Sequence, residues 1–182
     1  MKKPLQSIIL ILLLCITVPN YAENSVPTGY RSAVSTQGVS AAIFYAIALT
    51  ESGQSTMTAE FRPWPWTLSI DKQPHYFRDR ESAESALKDA INRKVKQLGV
   101  GLFQIEYRYH ADRFETVESM LDPYTNSRIA AEIFSEGLDR SNGDVWSAVG
   151  AFHTTTPKLA DAYRTRVARN LINHIGRSNY DR

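Results

Sequence analysis

The chain has 182 residues, with 21 Lys and Arg against 19 Asp and Glu, four His, one Cys and 43% hydrophobic residues. This composition excludes disorder, collagen-like repeats and coiled coil as the main state, and a lone Cys excludes an internal disulfide. A formal charge of +2 points to an anionic partner, but the N-terminus accounts for it.

Lys2 and Lys3 precede the apolar run Ile8–Val18, and Pro19 and Asn20 break it before Tyr21 and Ala22. The run has 11 residues, where a membrane-spanning helix needs roughly 20. A basic start, a short apolar stretch and a small residue at its end read as a secretory signal peptide over residues 1–22, cleaved after Ala22. Leu14 before Cys15 argues against a lipoprotein site. The mature protein is expected in the periplasm, without stable membrane insertion. Losing residues 1–22 removes two Lys, no acid and the sole Cys, which leaves 19 basic against 19 acidic residues. A neutral mature chain gives no reason to expect a nucleic-acid partner.

Residues 23–38 are polar without apolar period and read as a leader segment, so one domain is expected over 39–182. Val39 to Leu49 is almost wholly apolar and Ala-rich, which predicts a helix buried on every face, stopped by Gly53. Pro63-Trp64-Pro65 excludes helix interior. Trp66, Leu68 and Ile70 alternate with Thr67 and Ser69, the period of a half-buried strand. Asp71–Pro74 is a turn and His75-Tyr76-Phe77 the return strand. Ser82 to Leu98 carries Ala83, Ala86, Leu87, Ala90, Ile91, Val95 and Leu98 at helical spacing, with Gly99 as its stop. Asp122-Pro123 opens a helix that turns Ile129, Ala130, Ile133, Phe134 and Leu138 inward. Asp144 caps a short helix containing Val145, Ala148, Val149 and Phe152. Thr156-Pro157 opens the last, with Leu159, Ala160, Tyr163, Val167, Leu171 and Ile175 on one stripe. The fold class is mainly α, a helical domain with one small β-hairpin insertion.

Glu51 is out of keeping with its surroundings. It follows Ala46-Ile47-Ala48-Leu49-Thr50 at the end of the most apolar helix. A carboxylate deprived of water there has a raised pKa, and a carboxyl that stays protonated near neutral pH is what a general acid requires. The spacing also permits a solvated glutamate in an exposed last turn.

The residues around it carry a resemblance. Ala46–Gly53, with Glu51-Ser52, resembles the Glu-Ser motif of the lytic transglycosylases related to goose-type lysozyme. Gly101-Leu102-Phe103-Gln104-Ile105 is similar to their Gly-Leu-Met-Gln motif. Ala148-Val149-Gly150-Ala151-Phe152-His153 stands where they have Ala-x-Ala-Tyr-Asn. The three occur in the family's order over residues 39–175, and the Trp-bearing hairpin is similar to transglycosylases encoded with conjugation or secretion machinery.

That resemblance implies a lysozyme-like fold and cleavage of the β-1,4 bond between N-acetylmuramic acid and N-acetylglucosamine in peptidoglycan, with no cofactor. It implies one acidic residue instead of the usual pair. Glu51 protonates the leaving oxygen, then acts as base on the muramyl C6 hydroxyl, giving a 1,6-anhydro sugar. By the same carry-over Ser52 orients Glu51 or the sugar, and Gln104 hydrogen-bonds sugar N-acetyl groups. Helix capping is the alternative for Ser52. Phe152 and His153 replace the family's Tyr and Asn, so the hydroxyl placed near the Glu is missing from that motif. Phe152 can still pack on a sugar. Tyr107 and Tyr109 are candidates to supply a hydroxyl, or ordinary packing residues. Trp64 stacks on sugar or packs in the hairpin, and Trp66 is in phase with the hairpin core. The four His, at 75, 110, 153 and 174, are too scattered for a metal site, and Arg164, Arg166 and Arg169 read as a solvated face. Peptidoglycan strands, and components of a secretion or conjugation apparatus, are the partners implied. A lysozyme-type hydrolase and a wall-binding scaffold with little turnover are the competing readings, the second prompted by Phe152 and His153.

Overall fold

The computed structural model describes residues 25–55 and 60–176; residues 1–22, read as a signal peptide, lie outside them. Its elements, in chain order, are helices α1 (Thr28–Val34) and α2 (Ala41–Ser52), then strands β1 (Gly53–Ser55), β2 (Phe61–Pro63), β3 (Thr67–Ile70) and β4 (Gln73–Tyr76). Helix α3 (Arg80–Asn92), strands β5 (Leu98–Val100) and β6 (Ile105–Glu106) and the short α4 (Tyr107–His110) follow. Helices α5 (Pro123–Arg140), α6 (Val145–His153) and α7 (Pro157–Asn170) complete the fold, with a π-helical turn at Leu171–Gly176. The chain is mainly α with a small β insertion, the fold class expected.

Helix α2 is the centre of the molecule. Phe44, Ala46, Ile47 and Ala48 are fully buried, as an apolar sequence without a polar face requires. Ser40 caps its start by accepting from Ile43 N–H. Gly53 ends it for want of room, not for left-handed backbone: its φ is −62°, and a Cβ there would lie 2.2 Å from the Leu49 carbonyl oxygen. The caps at Asp122 and Asp144 form as the sequence predicts, accepting from Thr125 N–H at 2.8 Å and from Trp146 and Ser147 N–H.

Three expectations are corrected. The segment 23–38 is no simple leader: α1 lies within it, Val26, Ala33 and Val34 are buried, and Tyr30 packs on Tyr45 and Phe103. Three such positions in a short helix, Tyr30, Ala33 and Val34, with Val26 just ahead of it, are too few to show as a period. The helix expected over 82–98 stops at Asn92. Lys94 takes the left-handed conformation (φ 57°), while Lys94 N–H donates to Ile91 and Val95 N–H to Ala90. This is a Schellman cap without its usual glycine, and it frees Leu98 to enter β5. Finally, the β structure is larger than one hairpin. A four-stranded antiparallel sheet runs β4-β3-β5-β6, and a separate pair joins β1 to β2. Leu68 sits opposite both His75 and Val100, so the expected hairpin is the outer half of the larger sheet. On the last stripe Leu159 is exposed while Ala160, Tyr163 and Val167 are buried; the side chain of Ile175 lies outside those described.

Candidate active site

The last turn of α2 meets the C-terminus of α6 and the middle of α7 at Glu51. Helix α7 is held there by Val167 in the core and by Asn170 Nδ2, which donates to Thr50 Oγ1 at 2.9 Å. Only 13% of the Glu51 side chain is exposed. Tyr163, fully buried on α7, donates its hydroxyl to Glu51 Oε1 at 2.6 Å. His153, the last residue of α6, places Nδ1 3.9 Å from the same oxygen. Its ring lies flat on Tyr163, with centroids 4.5 Å apart and planes 3° from parallel. The Arg166 guanidinium sits 5.4 Å from the Tyr163 ring centre.

Burial raises the Glu51 pKa from its ordinary value to about 7, against the opposing pull of the Tyr163 hydrogen bond and the Arg166 charge. Burial, and then Arg166, keep the His153 pKa below its ordinary value. Tyr163 is pushed well up, by burial and by the carboxylate it faces. Near neutral pH the cluster therefore holds a carboxyl that exchanges its proton readily beside a neutral imidazole and a neutral phenol.

The second motif forms the adjacent wall. Gly101 and Gln104 both have positive φ, 80° and 46°, and Gly101 N–H donates to Thr67. Gly101 has no alternative: a Cβ would lie 2.6 Å from Asn126 Nδ2 and 2.8 Å from the Met120 carbonyl oxygen. Asn126, fully buried on α5, pins the turn. Its Nδ2 donates to Val100 and Met120, and its Oδ1 accepts from Phe103 N–H. Ser52 couples this turn to the acid's helix, donating to Leu102 at 2.7 Å and to Ala48 at 3.3 Å.

The structure sorts the candidates. Glu51 and His153 come together. Ser52 is fully buried with its hydroxyl on backbone carbonyls, so it fastens α2 to the second motif and reaches neither Glu51 nor a sugar. Gln104 keeps its side chain half-buried and donates Nε2 to Thr67 and Gly101, which spends both amide hydrogens on the protein. Phe152 is edge-on to Phe103 and tilted on Phe134; it is a core contact. Trp64 donates Nε1 to Phe77 and stands edge-on to Trp66, while its backbone N–H donates to Ser52, so a half-buried indole lies at the end of α2. Tyr107 lines a separate depression of about 720 Å³ with Ile91, Lys94, Val95, Lys96 and Arg108. Tyr109 is exposed beneath Arg108. Neither supplies the missing hydroxyl. Tyr163 does, from a helix where it read as a core residue, and Arg166 acts on the site where it read as solvated. The available signal was the phenol itself: a hydroxyl on a buried stripe needs a partner.

The family model for the transglycosylase SLT domain matches residues 80–175. The match spans the second motif, His153, Tyr163 and Arg166, and begins after Glu51. No curated protein and no solved structure matches the chain.

Proposed function

The chain belongs to the transglycosylase SLT domain family, and from that premise we propose that it cleaves peptidoglycan glycan strands with Glu51 as its acid. One observation carries the assignment: a carboxyl 13% exposed, held by a phenol at 2.6 Å, with its pKa raised to about 7. Glu51 gives its proton to the glycosidic oxygen between N-acetylmuramic acid and N-acetylglucosamine as the C1–O4 bond breaks. The muramyl C6 hydroxyl attacks C1, gives up its proton to the protein, and closes a 1,6-anhydro ring. The groups arranged around Glu51 are a phenol, an imidazole and a guanidinium. Among the described residues no second carboxylate joins them, which supports an internal sugar nucleophile over the carboxylate pair of hydrolases.

Location and purpose rest on the sequence. The signal-like residues 1–22 support a periplasmic protein, and the Trp-bearing hairpin supports local wall opening for an envelope-spanning secretion or conjugation machine.

Mass spectrometry of digested sacculi tests the reading. Wild type releases 1,6-anhydromuropeptides and Glu51→Gln releases at least 100-fold less, as the loss of an acid demands. Reducing muramyl ends in place of anhydro ends would identify a hydrolase. Equal release by wild type and Glu51→Gln would remove Glu51 from the mechanism.

A further inference from the structure

A carboxyl that works alone must donate one proton and collect another. In this site the collecting half has a second acceptor. Tyr163 and His153 both face Oε1 of Glu51, at 2.6 and 3.9 Å, which leaves Oε2 to serve the glycosidic oxygen. His153 turns Nδ1 to the carboxylate, so Nε2 is on the other edge of its ring, and 40% of the side chain is exposed. Its parallel stack on Tyr163 fixes the plane in which both nitrogens lie.

We propose that His153 relays a proton from the attacking sugar hydroxyl to Glu51. The inference rests on the reading of Glu51 as the acid of a lytic transglycosylase. In the step, the Glu51 proton passes to O4 as C1–O4 breaks, and C1–O6 forms. The O6 proton passes to Nε2 of His153, and the hydrogen on Nδ1 passes to Glu51, closing the 3.9 Å gap to a hydrogen bond. Glu51 ends protonated, and the imidazole ends as its other neutral tautomer. In the reset Nε2 releases its proton to water, Nδ1 recovers one from Glu51, and Glu51 takes one from water once product has left, so the starting forms return with no net proton change. Nothing is consumed beyond the glycan.

The charged and titratable groups facing the imidazole are Glu51 from α2, with Tyr163 and Arg166 from α7. Burial, and then Arg166, oppose an imidazolium, so the ring is in the form that accepts a proton. An Asn at this position, the residue in the family's motif, can orient a sugar but cannot carry its proton.

Steady-state kinetics on soluble glycan strands, with His153→Asn and His153→Phe, tests the relay. Both variants are expected to lose about 100-fold in kcat, the usual scale of a lost general base, with KM within threefold of wild type. The wild-type rate falls on the acid side as His153 protonates, and this limb disappears from both variants. A His153→Asn enzyme with wild-type kcat overturns the relay. So does a His153→Phe enzyme with wild-type kcat, since Phe keeps the stack on Tyr163 and nothing else. Melting temperatures accompany the rates; should Asn loosen α6, the Phe variant decides. Wild type that yields anhydro products while His153→Asn matches it sinks the relay and leaves the Glu51 reading standing. Wild type that yields none sinks both.

Discussion

Tyr163 reaches Glu51 across 112 residues of sequence and donates to it at 2.6 Å. The bond favours the ionised carboxylate, so it restrains a pKa that burial alone would raise further. Removing it by Tyr163→Phe keeps the ring packing and takes away the donor. A hydrogen bond to a charged group is worth about 1.5–3 kcal/mol, or about 1–2 pKa units. The alkaline limb of the pH–rate profile should move up by that amount, with kcat about tenfold lower from lost orientation. An unmoved limb would detach Tyr163 from the acid.

Glu51 also links stability to pH. Its folded pKa, about 7, lies above the ordinary glutamate value, so the folded state holds the proton more tightly than the unfolded chain. The stabilising contribution is full below about pH 4.3, the ordinary value, and is lost as pH rises through about 7. Glu51→Gln is free of that loss. At pH 8 it should exceed wild type by about 3–4 kcal/mol, or on the order of 10 °C in Tm, and the advantage should vanish at pH 4. Calorimetry at the two pH values measures it.

Asn126 satisfies three backbone groups from full burial. Asn126→Ala strands one N–H and two carbonyls, at a cost of about 3 kcal/mol. Urea titration should show that loss, and kcat should fall with it because Gly101–Gln104 loses its anchor. Asn126→Asp should cost no less, since it turns an oxygen toward the Val100 and Met120 carbonyls.

At Lys94 the prediction has the opposite sign. Its φ of 57° is strained for a side chain and free for glycine, so Lys94→Gly should stabilise by about 0.5–1 kcal/mol, raising Tm by a few degrees. A lower Tm would show that the lysine side chain contributes more than its backbone strain.

Lys94 also illustrates why some of the fold escaped the sequence. Val95 and Leu98 continue the helical spacing of α3, and a helix end capped by lysine carries no compositional mark, so periodicity ran past it. Asp122, Asp144 and the paired prolines were legible because capping chemistry is local. The site divides the same way. Glu51 is legible as a charge on a segment with no polar face, and Ser52 is legible only as its chain neighbour, since its contact with Leu102 lies 50 residues away. Tyr163, Arg166 and Asn126 depend on which helix packs where. Sequence spacing assigned Tyr163 to the core, correctly, without revealing that the core at that point is the underside of the acid.

The acid's shell has a cooperative consequence. Tyr163 and Arg166 belong to α7, and His153 to the end of α6, so the carboxyl acquires its raised pKa only while the C-terminal helices are docked. Lifting α7 returns Glu51 to water and to an ordinary, inert glutamate. Local opening of one helix is cheaper than global unfolding, and on the proposed role of Glu51 it would disarm the glycan-cleaving chemistry while the remaining core stays closed. On that proposal catalysis and tertiary completeness are one condition: a chain that has not finished folding lacks the raised-pKa carboxyl.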